Sequence, residues 1–245
     1  MPGARDDVPH REPVVEFDRI GVTAFTTTRA AGDFALRAAD APDGNEARWL
    51  SLVESLAPRC LGLVSSVQVH GADIAEQSEP WAGWKRLDGV DAHVVSAEGS
   101  AAVTVADCVP VFVAHESGVV ALAHAGWRGV AGNIVALVIG RMNSASLPSS
   151  EMHVHLGPAI CGRCYEVGPD VYERLTGWQT TRNRHVDLRA LIAEQARTAG
   201  VRNVSSSVWC TRCDSDRFFT HRGGDVGRQV GVIVSSAGQA ARTLA

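Results

Sequence analysis

The chain has 245 residues, 45% of them apolar and 20% charged. That is enough to bury a substantial core, and it excludes a disordered chain. A net charge of −4 gives no general attraction to nucleic acid or to an acidic membrane surface.

Lys85 is the only lysine among the 23 basic residues. An anionic ligand must therefore be held by guanidinium groups, backbone N–H groups or a metal. A phosphate-binding loop with its lysine is absent. No run approaches the roughly 18 apolar residues of a membrane span. Residues 1–13 are charged and proline-bearing without an apolar segment, and they read as a flexible leader on a cytoplasmic protein. Six cysteines are too few for a disulfide scaffold and stand as thiols, ligands or nucleophiles.

Val14 to Phe17 and Val22 to Thr26 read as strands separated by Gly21. Residues 29–44 are irregular. Asn45 opens a helix to Leu56, with Trp49, Leu52, Val53 and Leu56 on one face. Strands follow at Leu63–Val69, Asp91–Val95 and Ala102–Ala106. Val109–Ala114 and Val119–His124 form a hairpin through Glu116-Ser117-Gly118. Gly129 to Met142 is helical by spacing, Met152–Leu156 is a strand, and Asp170–Leu175 is a short helix. Asp187 caps a helix carrying Leu188, Leu191, Ile192 and Ala196. Asn203–Trp209 and Val230–Val234 are strands. The mixture predicts an α+β or mixed α/β fold, and no composition break divides residues 14–245.

Three metal-ligand types sit at strand ends or turns. They are His70 in Gln68-Val69-His70-Gly71, Cys108 in Ala106-Asp107-Cys108-Val109-Pro110, and His124 in His124-Ala125-Gly126-Trp127-Arg128-Gly129. Two imidazoles and one thiolate suit zinc and leave a fourth position open, the catalytic pattern. The spacing of 38 and 16 residues matches no local zinc motif, so their convergence stays open.

Rival readings stand beside it. Cys161-Gly162-Arg163-Cys164 and Cys210-Thr211-Arg212-Cys213 could form a four-thiolate site or redox pairs. Cys108 could be a nucleophile activated by His124 or His70, with Asp107 or Asp91 as orienter. A multinuclear copper oxidase would need several His-x-His pairs, and only His153-Val154-His155 is present. Arg29, Arg128 and Arg222, at strand ends or turns, are candidate anion holders.

Several further motifs fall in order along the chain. They are Thr27-Thr28-Arg29, Asp91-Ala92-His93-Val94, Leu156-Gly157-Pro158-Ala159-Ile160, Cys164-Tyr165-Glu166-Val167-Gly168 and Phe218-Phe219-Thr220-His221-Arg222. Together with the segments around His70, Cys108 and His124, they resemble the laccase-domain family, formerly called multicopper polyphenol oxidoreductases. That family comprises zinc-dependent purine nucleoside phosphorylases with adenosine deaminase side activity, and the resemblance implies its mixed α/β sandwich-like single domain, a fold likened to cysteine hydrolases.

The resemblance implies Zn2+, with copper as the alternative, on His70, Cys108 and His124. It implies phosphorolysis of adenosine, inosine or methylthioadenosine to free base and ribose 1-phosphate. The partners would be a purine nucleoside and phosphate, with no nucleic acid and no membrane. Carried onto this chain, Cys108, Asp107 and Arg29 would be catalytic, and Arg29, Arg128 and Arg222 would bind phosphate. Ala30 to Arg37 departs from the family's Gly-Gly-Val-Ser stretch and bears on substrate choice. The family's Ile-Gly-Pro-Cys-Cys is here Ile160-Cys161-Gly162-Arg163-Cys164.

Overall fold

Side chains alternate across a strand, so a strand buried on both faces reads as a continuous apolar run. Two sheets in a computed structural model, which describes residues 10–36, 45–57 and 59–237, follow that rule. The first sheet contains β1 (Arg11–Pro13), β2 (Thr23–Thr27), β3 (Gly62–Val67), β5 (Gly83–Asp88), β7 (Ser100–Val105) and β14 (Gln229–Val234). Their order is β1-β2-β14-β7-β3-β5. The second contains β4 (Ile74–Gln77), β6 (Ala92–Val95), β8 (Val109–His115), β9 (Val120–Ala125), β10 (Met152–Leu156) and β13 (Asn203–Ser206). Its order is β13-β10-β8-β9-β6-β4. Both sheets mix parallel and antiparallel pairs.

The inward residues of the two sheets make one cluster: Ala101, Val103 and Val105 of β7 meet Phe112 of β8 and Val120 and Leu122 of β9. The opposite face of β8 and β9, with Val111, Val113, Ala121 and Ala123, packs on the helices α2 (Trp127–Ala131), α3 (Ile134–Ser144) and α5 (Leu188–Thr198). The outer face of the first sheet, Val230, Val232 and Val234, packs on α1 (Asn45–Leu56) through Trp49, Leu52 and Leu56. Each fully buried side chain of this kind contributes roughly 1.5–3 kcal/mol. The result is a sandwich of helix, sheet, sheet and helices, the mixed α+β class expected from sequence.

Local chemistry sets the boundaries. Asp187 accepts the Ala190 amide at 3.2 Å and starts α5. Pro169 occupies the first turn of α4 (Pro169–Thr176), and Gly177 ends it with φ of 75°. The hairpin through Glu116-Ser117-Gly118 joins antiparallel β8 and β9.

Several elements differ from the pattern reading. Val14–Phe17 is not a strand; Val15–Ile20 forms a 3-10 helix. Val14 and Phe17 are both buried, and a three-residue spacing puts them on one side of a 3-10 turn without any alternation. Gly129–Met142 is two helices, because Asn133 takes a left-handed conformation with φ of 56° between α2 and α3. Of the expected leader, residues 1–9 lie outside the described residues, and Arg11–Pro13 pairs with β2. Of the irregular segment, residues 37–44 lie outside the described residues, while Arg29–Ala31 is a 3-10 turn. Strands β4 and β5 carry mostly half-buried or exposed side chains, as do the two-residue partners β11 (Glu166–Val167) and β12 (Arg184–His185), apart from Val167. They show no apolar alternation.

Candidate metal centre and its cavity

His124 lies near the end of β9 on the face shared with Val120 and Leu122, so its ring points into the layer between the sheets. Cys108 sits in the short connection from β7 to β8. His70 follows β3 on a turn. Sequence left the meeting of these three open; the fold brings them together. One ligand atom of each lies within 4.8 Å of the others, and the two imidazole rings meet edge to face at 4.7 Å.

The turns that present the ligands are strained. His70 has φ of 60° and Asp107, next to Cys108, has φ of 82°. Non-glycine residues in that region cost about 1–3 kcal/mol and persist only where surroundings fix them. At His70 the fixing group is the side chain of Asp91, which is fully buried. Its carboxylate accepts the amides of Val69 at 3.2 Å, His70 at 3.0 Å and Gly71 at 2.7 Å. Gln68 completes the turn by pairing with Thr104 of β7, its Oε1 accepting the Thr104 amide and its Nε2 donating to the Thr104 carbonyl, both at 2.8 Å.

Asp91 also accepts from His124 Nδ1 at 2.8 Å. That bond fixes the ring so that Nε2 faces Cys108, the outer carboxylate arrangement usual behind a metal-bound histidine. Of the two orienters proposed from sequence, Asp91 holds the imidazole. Asp107 turns elsewhere: its oxygens accept Thr211 Oγ1 and the Arg222 amide, each at 2.6 Å.

Burial opposes charge on all these groups, and their partners outweigh it. Burial alone would raise the Asp91 pKa, but hydrogen bonds from His124 and the Gly71 amide hold it below the ordinary carboxylate value. Burial would likewise raise Cys108, yet the His124 charge and hydrogen bonds from His124 and His70 bring it down to about 6. Burial would lower His124, but Cys108 and Asp91 raise it to about 9. Two imidazoles and a thiolate of lowered pKa are the donor set a borderline-soft cation needs. The fit also needs space: a Cβ at Gly126 would lie 3.0 Å from Cys108 Sγ and 3.3 Å from His70 Cδ2.

The three ligands line a cavity of about 500 Å³, within the usual range for small-molecule sites. Trp49, Leu36, Arg86, Arg228 and His221 also line it, and Arg228 Nη1 donates to the Val226 and Gly227 carbonyls at 3.1 and 2.8 Å. Ala35 and Leu36 come from the segment where the chain departs from the family pattern.

The arginines singled out from sequence lie elsewhere. Arg29 does not line the cavity; it donates to Asp225 at 2.6 Å and to the carbonyls of Ser215 and Phe218 at 3.0 Å, over the Phe219 ring. Arg128 stacks over Trp127 at 4.4 Å. Arg222 stacks over Tyr165 at 4.9 Å and donates to the Glu166 carbonyl at 2.9 Å. The Tyr165 hydroxyl is pushed up to about 12, by burial first and then by Cys108, against Arg222 and Arg128, which act to lower it. Sequence reading missed Arg86 and Arg228. Arg86 sits on an edge strand without alternation, and the only hint for Arg228 was its place after the glycines at 223, 224 and 227.

The family model described as multi-copper polyphenol oxidoreductase laccase matches residues 20–236. The chain belongs to that family. Among its relatives, the purine nucleoside phosphorylase SCO2081 of Streptomyces coelicolor is 34% identical over 207 residues, covering 78% of this chain and 84% of that protein. The adenosine deaminase RL5 of an unknown prokaryotic organism is 33% identical, covering 82% and 88%. Among solved structures, YlmD of Geobacillus stearothermophilus superposes with a TM-score of 0.77 at 29% identity, over 88% of this chain and 92% of that one. Bacillus licheniformis YfiH superposes at 0.83 with 22% identity, over 94% and 98%, and speaks for the shared fold. Members of this laccase family carry both phosphorylase and deaminase names, which fits an enzyme acting on purine nucleosides.

Proposed function

We propose that the chain is a zinc-dependent purine nucleoside phosphorylase, with deamination of adenosine as a second reaction of the same centre. The observation that carries the reading is the convergence of His70, Cys108 and His124 in one cavity that Arg86 and Arg228 also line. A zinc ion held by those three ligands would supply Lewis-acid chemistry at its open fourth position.

The chain's own residues supply the rest. Asp91 holds the His124 ring and the His70 turn in one geometry, so the ligand set is preorganised. Arg86 and Arg228 offer guanidinium forks to a phosphate in the cavity. As the glycosidic bond loosens, positive charge grows on C1′ of the ribose, and a phosphate held on that side both neutralises it and forms the new C1′–O bond. The bonding electrons leave with the purine, which must gain a proton at its ring nitrogen. His221 stands in the cavity with a group able to give one. Leu36 and Trp49 supply the apolar wall against a base or sugar.

Zinc is preferred over a multinuclear copper centre on an observation of the fold. Among the described residues, the only groups of at least three metal-ligating side chains close together are this triad and a set of four cysteines. No second imidazole cluster among the described residues accompanies the triad to hold further copper ions. The test is incubation of adenosine or inosine with phosphate, followed by assay of free base and ribose 1-phosphate. Phosphate-dependent formation of both is expected. Base release that ignores phosphate, or none at all by metal-replete protein, would refute the assignment.

A further inference from the structure

Four cysteines that the purine reading leaves unused also meet. The sulfurs of Cys161, Cys164, Cys210 and Cys213 all lie within 4.8 Å of one another, and Cys164 and Cys213 stand 3.5 Å apart. A tetrahedral zinc with Zn–S bonds of about 2.3 Å sets its sulfurs about 3.8 Å from each other. Small side-chain rotations bring the four to that spacing.

The backbone is arranged for it. Each Cys-x-x-Cys pair folds into a tight turn, with the Cys164 amide on the Cys161 carbonyl at 2.9 Å and the Asp214 amide on the Cys210 carbonyl at 2.8 Å. The amides of Cys161 and Cys213 both point at Cys210 Sγ, at 3.3 and 3.4 Å. Peptide N–H groups aimed at a ligand sulfur are the outer contacts that orient it towards a metal. The two turns lie side by side through the bridge of Ala159 with Cys210. Two disulfides would require only two close pairs. A mutual approach of all four sulfurs is what a single cation requires.

We propose that Cys161, Cys164, Cys210 and Cys213 hold a structural zinc ion, distinct from the centre on His70, Cys108 and His124. Binding releases the thiol protons and forms four Zn–S bonds with no redox change. The exposed arginines within the turns, Arg163 and Arg212, offset the negative charge that four thiolates leave on a divalent cation.

The site clamps the segments around Asp107. The Ile160 amide donates to the Asp107 carbonyl at 3.1 Å, and Thr211 Oγ1 donates to its carboxylate at 2.6 Å. Ile160 directly precedes one cysteine and Thr211 directly follows another. The zinc therefore fixes both supports of the left-handed turn that presents Cys108.

The test is elemental analysis of the full chain purified with zinc present, for wild type, Cys164→Ser/Cys213→Ser and Cys108→Ser. The double variant should hold at least one zinc fewer per chain than wild type, whereas Cys108→Ser should keep the zinc of the four cysteines. Cys213→Ser alone, at an exposed position, serves if the double variant does not fold. Replacement of zinc by cobalt should give wild type an intense sulfur-to-metal absorption that Cys213→Ser weakens. Equal zinc in wild type and variants, iron in place of zinc, or a non-reduced mass lighter by the hydrogens of two disulfides would each overturn the proposal. Zinc counting involves no turnover, so it stands or falls apart from the purine reading.

Discussion

Asp91 Oδ1 lies 2.8 Å from His124 Nδ1 while the same oxygen accepts the amide of His70 at 3.0 Å. One buried carboxylate thus ties a ring on one sheet to a turn that leaves the other. Its removal should act on metal retention first. Asp91→Asn should weaken metal affinity by about 10- to 100-fold, measured by competition with a chelator. Unchanged affinity would show that the ring is oriented by something else.

His70 is exposed, whereas Cys108 is half-buried and His124 buried. His70→Ala should abolish phosphate-dependent turnover while shifting stability by less than about 1 kcal/mol. Thermal melting and activity, read on the same sample, separate the two effects. A chain that unfolds on this change would make the triad structural.

Without metal, Cys108 and His124 should exist as thiolate and imidazolium between about pH 6 and pH 9. Alkylation of Cys108, followed by peptide mass spectrometry on metal-stripped protein, should rise with a midpoint near 6 instead of the ordinary 9. His124→Asn should move that midpoint upward, and bound zinc should protect the sulfur. A midpoint that stays near the ordinary value would remove the ion pair.

Arg29 and Arg228 should behave differently. Arg29 pins the loop that carries Ser215, Phe218 and Asp225, so Arg29→Ala should cost roughly 1–3 kcal/mol of stability. Its partner Asp225 is held below the usual carboxylate range, chiefly by the hydrogen bond from Arg29. That contribution is complete above the unfolded carboxylate pKa of about 4 and is lost as pH falls through the lower folded value. Arg228→Ala should raise KM for phosphate with little change in melting temperature. A pure stability loss there, with KM unmoved, would take phosphate binding away from Arg228.

His93 is fully buried on β6, and burial first of all, opposed only by Asp91, lowers its pKa to about 4. The unfolded chain protonates this imidazole near 6.5, so the unfolded state takes up more protons between those values. Stability should fall as pH drops from about 6.5 to about 4, by about 3 kcal/mol. Denaturant titrations of wild type and His93→Gln across that window would test it. Parallel profiles would assign the acid sensitivity to other groups.

The legible parts of the fold are those buried on both faces. Val109–Ala114, Val119–His124 and Val230–Val234 read as strands because both sides of each lie in a core. Edge strands β4 and β5 were missed because neither of their faces is fully buried, so no apolar pattern marks them. The ligand types were visible at His70, Cys108 and His124, but their meeting depends on a sheet order that no local spacing encodes. Arg29 looked like an anion holder because it ends a strand; its actual partner, Asp225, lies 196 residues away. Sequence named both Asp91 and Asp107 as orienters, and only the direction of each carboxylate separates them.

The position of β14 carries a consequence for biosynthesis. The last strand among the described residues lies between β2 and β7, and pairs Gly231 with Thr26. Ribosomal emergence of the first strands therefore leaves a gap that only synthesis through residue 234 can fill. Long-range pairing of this kind is slow and exposes sticky edges meanwhile. Arg29, anchored by the loop just before β14, finds its acceptors at that same late moment. A nascent chain stalled upstream of residue 229 should thus be a client for chaperones and a poor acceptor of metal.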